Sequence, residues 1–107
     1  MEEKYDTARY HPGVSWRRKE STANPEWQAL FNELCQEAIR LEMELNTVYH
    51  TPEEIREIME RLTGKPVDET FRLFPPFYTD FGKNITIGKN VFINSGCHFQ
   101  DQGGIII

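Results

Sequence analysis

The stretch FGKNITIGKNVFINSGCHFQDQGGIII, residues 81–107, decides the fold, because large apolar side chains recur in it every six residues. A period of six is neither the 3.6 of an α-helix nor the 2 of a half-buried strand, so both templates are rejected. A chain that turns a corner every six residues returns a side chain to the same interior position, as in a hexapeptide-repeat, left-handed parallel β-helix. The anchors are Phe81, Ile87, Ile93, Phe99 and Ile105, and apolar residues also stand four positions after the first three, as Ile85, Val91 and Cys97.

Small residues follow these anchors. Gly82 and Gly88 stand where the backbone must bend, and Asn94 takes that place in the next repeat. With three faces per turn, the stretch makes about one and a half turns, whereas a solenoid usually needs about three stacked repeats for a continuous core. The final Ile105-Ile106-Ile107 lacks a polar cap. We therefore expect a β-helix that is incomplete at its C-terminus.

Two amphipathic helices are predicted before the repeat. Asn24 is suited to cap the first, Pro25 stands at its first position, and apolar residues then recur at three- and four-residue steps over about five turns. The second begins at Thr51, which forms a capping box with Glu54, and it stops at Gly64. We expect an α+β fold in which this α-helical hairpin packs its surplus apolar surface on the β-helix.

The chain divides into four segments. They are an extended N-terminal arm (1–23), the two-helix region (24–70), a proline- and aromatic-rich segment that leads into the repeat (71–80), and the hexapeptide repeat (81–107). In the third segment Pro75 and Pro76 forbid a helix and favour extended backbone. Phe71, Phe74 and Phe77 are expected to cover the open end of the first coil. The alternative is an aromatic wall for a ligand such as a sugar ring, for which Tyr78 is the best candidate.

Composition limits the function. The sequence of 107 residues has 38% hydrophobic residues and a formal charge of −5, which argues against nucleic acid as a partner. The basic cluster Trp16–Lys19 is read as a solvated surface patch, with contact to an anionic ligand or a partner chain as the alternative. The N-terminus is too polar for a signal peptide and no run of about 18 apolar residues exists, which favours the cytoplasm and no membrane partner. Cys35 and Cys97 lack metal-ligand spacing and are predicted to be reduced thiols, so no metal is expected.

One set of residues in the segment 75–101 is typical of a known family. Its members are Pro75, Pro76, Phe77, Asp80, Phe81, Gly82, Asn84, Ile85, Ile87, Gly88, Asn90, Phe92, Asn94 and Asp101. This set resembles the start of the β-helix in the maltose and galactoside O-acetyltransferases, which are hexapeptide-repeat enzymes. The helical pair is similar in placement to the small N-terminal helical region of that family.

The resemblance implies transfer of an acetyl group from acetyl-CoA to a sugar hydroxyl, in a cleft between neighbouring subunits of a homotrimer. It implies that Asn94 and Asp101 hydrogen-bond the acceptor, with Asp80 as a weaker candidate. The catalytic histidine and the coils that bind CoA are expected beyond Ile107, so this chain alone is expected to be inactive. Gln102 stands where some relatives carry a second acidic residue, which leaves the acceptor open.

Each candidate has a structural alternative. Asn94 occupies a bend position, where Asn tolerates left-handed backbone. Asp101 is expected on the outside of the prism with no structural role, so that Asp101→Ala should weaken sugar use with little loss of stability. His98 should point outward and is read as a surface or interface residue.

Two hypotheses remain. The chain is the N-terminal portion of an acetyl-CoA-dependent sugar O-acetyltransferase, or it is a non-catalytic assembly or carbohydrate-binding module whose last coil another chain covers. A metal-dependent hydratase on the same fold is disfavoured, because that chemistry needs several histidines and the repeat holds one, His98.

Overall fold

The computed structural model of the protein describes residues 25–107. The predicted extended arm (1–23) and the Asn24 cap lie outside the described residues. The described elements, in chain order, are α1 (Pro25–Thr47), α2 (Pro52–Thr63), β1 (Arg72–Leu73), β2 (Phe77–Thr79), β3 (Ile85–Thr86), β4 (Phe92–Ile93), β5 (Cys97–Phe99) and β6 (Ile105–Ile106).

Both predicted helices are confirmed. The side chain of Thr51 accepts the N–H of Glu54 at 3.2 Å, and the Glu54 carboxylate accepts the N–H of Thr51 at 3.0 Å, which completes the capping box of α2. Gly64 ends the helix in the left-handed conformation, with φ 72°. Neither helix among residues 25–107 has the length and apolar character needed to span a membrane.

The strands form three two-stranded parallel sheets, β1–β4, β2–β5 and β3–β6. Their registers pair Arg72 with Phe92, Phe77 with Cys97, and Ile85 with Ile105, so the chain returns onto itself after every third strand. The sequence distance between register partners, such as Phe77 and Cys97, is longer than the about 18 residues that three ideal hexapeptides would span. The strands are therefore joined by corners of unequal length, with five residues between β2 and β3 and three between β1 and β2.

The paired strands begin earlier than the repeat pattern indicates. The sequence pattern predicts that the segment 71–80 leads into the solenoid, but this segment contains β1 and β2, which pair with β4 and β5. Residues 72–107 thus form two layers of parallel strands. Their assignment to a left-handed β-helix stays a prediction.

The interior of these layers is continuous with the helices. Ile87 and Ile93 are buried in this interior as the six-residue period predicts, and Phe99 and Ile105 are partly buried. Phe81 is buried as well, but in a separate cluster with Leu34 of α1. One core cluster joins side chains of both helices to side chains of the strands, which confirms that the helical pair packs on the strand region. Its members are Ala38, Leu41, Leu45, Ile55, Ile58, Met59, Leu62, Val67, Phe71, Leu73, Phe77, Ile85, Ile87 and Ile93.

The three phenylalanines before the repeat differ in burial. Phe71 and Phe77 are buried, in agreement with a covering role, whereas Phe74 is 57% exposed. Phe74 instead packs edge-on against the exposed ring of Phe92, with ring centroids 4.9 Å apart. The expectation for Phe74 is wrong because β1 ends at Leu73 and its alternating side chains point to opposite faces.

A buried lysine ties α2 to the strands. Lys83 is 1% exposed, and its ammonium group donates to the carbonyl oxygens of Leu62 at 2.7 Å and Arg61 at 3.2 Å, at the end of α2. A cation at a helix C-terminus interacts favourably with the helix dipole. Burial is the main cause that lowers the pKa of Lys83 to about 8. Lys65 adds a second link by donating to the carbonyl oxygens of Lys83 and Ile85.

Candidate functional site

Asp101 lies at the centre of the corner between β2 and β3. It is fully buried, at 0% exposure. One carboxylate oxygen accepts the Phe81 N–H and the Thr79 hydroxyl, both at 3.1 Å, and this hydroxyl is shared with the Phe99 carbonyl oxygen at 2.7 Å. The other accepts the N–H groups of Gly82 at 2.8 Å and Asn84 at 3.1 Å. We call this set of four hydrogen bonds the Asp101 clamp.

The clamp corrects the expectation that Asp101 lies on the outside of the prism without a structural role. Counted in hexapeptides, Asp101 follows the Phe99 anchor by two positions and should point outward. In the observed register, which pairs Thr79 with Phe99, Asp101 instead stands one layer after the buried Phe81. The carboxylate occupies an interior position and binds the backbone of the preceding layer. Its contact with a sugar stays a prediction.

Tyr78, Asp80 and His98 form an exposed group, here called the polar face. Tyr78 and His98 are register partners on β2 and β5, and their ring centroids lie 6.1 Å apart. The His98 Nε2 atom lies 3.4 Å from a carboxylate oxygen of Asp80. Tyr78 is 45% exposed, and the side chains of His98 and Asp80 are 52% and 35% exposed. An aromatic surface, a carboxylate and an imidazole are therefore open to a ligand together.

Glu42 of α1 lies behind this face. Its carboxylate accepts the N–H of Thr79 at 3.2 Å, and the residue is buried. Burial raises the pKa of Glu42 to about 7; the Thr79 hydrogen bond and the charge of His98 lower it, while Asp80 and Asp101 raise it further. Glu42 is thus in electrostatic contact with both predicted acidic site residues.

Asn94 lies at a different corner, between β4 and β5. It is exposed, and its side-chain oxygen accepts the N–H of Ser95 at 2.8 Å. Within residues 25–107, the non-glycine residue with a positive φ is Asn90, at 59°, so Asn94 does not need the left-handed tolerance of asparagine. That structural explanation of Asn94 is wrong. Its predicted contact with an acceptor stays a prediction.

The structure thus brings two of the four predicted site residues, Tyr78 and Asp80, onto one exposed face. Asp101 is buried at the corner between β2 and β3, and Asn94 lies at the corner between β4 and β5. Sequence reasoning read His98 as a surface residue and missed its place beside Tyr78. The sequence carries no local signal for this contact, because it depends on the register that sets His98 of β5 opposite Tyr78 of β2.

A groove of about 450 Å³ lies between the α1–α2 connection and β1. Its walls are mainly apolar, and the side chains of Asn46 and His50 that line it already have backbone partners. Cys35 and Cys97 are free cysteines, and both are partly buried rather than buried as expected for structural thiols. The described residues contain no group of three or more His, Cys, Asp or Glu side chains that could hold a metal ion.

Comparison with known proteins finds local similarity to proteins named acetyltransferases. No protein-family profile matches the chain. The chain is 38% identical over 50 residues to "Putative acetyltransferase SACOL2570" of Staphylococcus aureus (strain COL), a match that covers 47% of this chain and 25% of that protein. It is 54% identical over 33 residues to "Putative acetyltransferase SH0499" of Staphylococcus haemolyticus (strain JCSC1435), covering 31% of this chain and 17% of the relative. The chain thus spans about a quarter or less of the curated relatives it matches, and these relatives support an acetyltransferase in general terms.

Proposed function

We propose that this protein transfers an acetyl group from acetyl-CoA to a hydroxyl group of a sugar, and that residues 25–107 contribute to the acceptor side of the site. The observation that carries the acetyl transfer is the local identity to proteins named acetyltransferases. The left-handed β-helix, the homotrimer and a cytoplasmic location belong to the same proposal, by resemblance to the sugar O-acetyltransferases.

The polar face supports a sugar as the acceptor. Aromatic rings with polar atoms nearby suit sugars, because the apolar face of a pyranose ring packs on the aromatic surface while its hydroxyl groups need hydrogen-bond partners. Tyr78 supplies the ring, and Asp80 and His98 supply the partners within a few ångströms. Asn94 remains a further acceptor contact by resemblance.

The reaction joins an acceptor sugar bound at the polar face with the acetyl donor, acetyl-CoA. The sugar hydroxyl attacks the thioester carbonyl of acetyl-CoA, a general base accepts the hydroxyl proton, and CoA leaves as the thiol. In this reaction Tyr78 and Asp80 orient the acceptor so that one hydroxyl faces the thioester, which is a contribution from positioning. The Asp101 clamp and Glu42 act through Thr79, which links both carboxylates to β2.

The test is product analysis on the protein as its gene encodes it. The protein is incubated with acetyl-CoA and a panel of methyl glycosides, and acetylated sugars are detected by mass spectrometry, a readout that the two free thiols of the protein do not disturb. We expect acetylated glycoside that depends on enzyme, and we expect Asp80→Asn to lower kcat/KM about tenfold through the loss of charge-assisted hydrogen bonds. Glu69→Gln, at an exposed residue before β1, is the matched control.

Two outcomes would contradict the proposal. Acetylation of amines or proteins with no sugar product would retain acetyl transfer and exclude the sugar acceptor. Saturable glycoside binding with no turnover of acetyl-CoA would instead favour a carbohydrate-binding module without catalysis.

A further inference from the structure

His98 has two neighbours on the polar face, the carboxylate of Asp80 and the ring of Tyr78. Its Nε2 atom lies 3.4 Å from the Asp80 carboxylate, and its ring lies beside that of Tyr78 at 6.1 Å with an interplanar angle of 59°. A carboxylate only accepts hydrogen bonds, so Nε2 carries the proton in this pair. In the neutral imidazole, Nδ1 is then the acceptor.

We infer that His98 is a specificity-determining residue of the acceptor site, where its Nδ1 accepts a hydrogen bond from a sugar hydroxyl adjacent to a hydroxyl bound by Asp80. The inference rests on the proposed function for the identity of the ligand. It adds a residue and a requirement to that function: the acceptor must present two free neighbouring hydroxyl groups to the polar face.

The geometry of the polar face supports two neighbouring acceptors. Asp80 has a second carboxylate oxygen besides the one near Nε2, and the imidazole and the carboxylate lie side by side. A vicinal diol offers two O–H donors at a similar spacing, while its ring can lie against Tyr78. If the acceptor lacked one of these two hydroxyl groups, either the Nδ1 atom of His98 or the carboxylate of Asp80 would lose a hydrogen bond.

The charges around the face favour an uncharged diol. The exposed charge near His98 is the carboxylate of Asp80, and Glu42 lies behind it with its own carboxyl group. The buried Asp101 carboxylate interacts with the ammonium groups of Lys65 and Lys83 on the interior side. A sugar phosphate would therefore bring its negative charge beside the Asp80 carboxylate, which repels it.

The test pairs protein variants with sugars that lack single hydroxyl groups. The affinities of a methyl glycoside and its monodeoxy analogues are measured for the natural protein and for His98→Leu, which removes both ring nitrogens. We expect one monodeoxy analogue to bind the natural protein about fivefold to tenfold more weakly than the parent sugar. In His98→Leu that same hydroxyl should make less than a twofold difference, because its partner is gone.

His98→Gln keeps one acceptor and one donor and should restore part of the discrimination. NMR of the imidazole groups gives an independent readout, in which the parent sugar should shift the signals of His98 but not those of His50, which lies by the α1–α2 connection. The 6-phosphate of the same sugar should bind more weakly at low ionic strength.

Equal loss of affinity for every analogue in His98→Leu would overturn the inference, since it would indicate a merely structural effect. Unchanged affinity in His98→Leu would overturn it as well. Either result, with acetylated sugar still formed, would leave the proposed function intact. Discrimination through His98 without acetyl transfer would contradict the proposed function and support the binding inference.

Discussion

Asp101 and Phe81 lie one layer apart in the strand stack, and the carboxylate of Asp101 accepts the backbone N–H of Phe81 at 3.1 Å. Phe81 is buried against α1, where its ring stacks on Phe31 with ring centroids 4.7 Å apart. The residue that follows it in register is a fully buried carboxylate. Stability at this corner therefore depends on backbone N–H groups that a charged side chain satisfies.

Asp101→Asn should lower the free energy of unfolding by about 2–4 kcal/mol, because an amide NH2 group would replace one carboxylate oxygen and face N–H donors. Urea denaturation measures the change. Gln100→Ala, at the exposed residue before it, is the control and should change stability by less than about 0.5 kcal/mol. Equal stability of Asp101→Asn and the control would show that the clamp does not hold the corner.

Gly82 should tolerate alanine less well than Gly96. Both have a positive φ, 91° and 83°, but a Cβ at Gly82 would lie 2.8 Å from the side chain and the carbonyl oxygen of Leu62, whereas a Cβ at Gly96 meets nothing within 4 Å. Gly96→Ala thus isolates the backbone strain, about 1 kcal/mol. Gly82→Ala adds a clash with α2 and should destabilise the protein by about 3 kcal/mol in thermal or urea unfolding. Similar losses in both variants would contradict the close approach of α2 to this corner.

The helices could be predicted from the sequence because their signals are local. The capping box of Thr51 and Glu54, the stop at Gly64 and the apolar periodicity lie within a few residues of the element they define. The interior positions of Ile87 and Ile93 were also predictable, since each follows from the six-residue period, whereas the packing of Phe81 against α1 was not.

The strand register could not be predicted from the six-residue period. This is why the sequence pattern misplaced Asp101 and did not reveal the contact of His98 with Tyr78. Unequal corners lengthen the return beyond three hexapeptides, which moves Asp101 inward and brings His98 beside Tyr78. The burial of Lys83 was missed for a related reason. Its partners are carbonyl oxygens 21 and 22 residues away in sequence. Because every residue has a backbone carbonyl group, the sequence pattern does not indicate which of them a side chain will bind.

Glu42 should make stability fall as the pH rises from about 4.5 to about 7. The pKa of Glu42 is raised from 4.5 to about 7 in the folded protein, so in this window the folded state retains a proton that the unfolded state releases. Below the window both states are protonated, and above it the folded state bears a buried charge. Glu42→Gln should remove this slope and stabilise the protein above pH 7 by about 1–2 kcal/mol, less than the full shift because the buried amide group must itself leave water.

The measurement for Glu42 is urea unfolding at several pH values between 4 and 8. Glu57→Gln, at an exposed position of α2, controls for the general loss of a carboxylate. A slope that persists unchanged in Glu42→Gln would assign the pH dependence to another group.

Asn94→Ala should leave stability within about 0.5 kcal/mol of the natural protein, because the side chain is exposed and its backbone does not require asparagine. Asn90→Ala should instead cost about 1 kcal/mol, since Asn90 has φ 59° and alanine disfavours left-handed backbone. If Asn94 contacts the acceptor, its alanine variant should lose about fivefold in kcat/KM for sugars while it unfolds like the natural protein. A large loss of stability in Asn94→Ala would show that the corner between β4 and β5 needs this side chain, and a normal kcat/KM would remove Asn94 from the acceptor site.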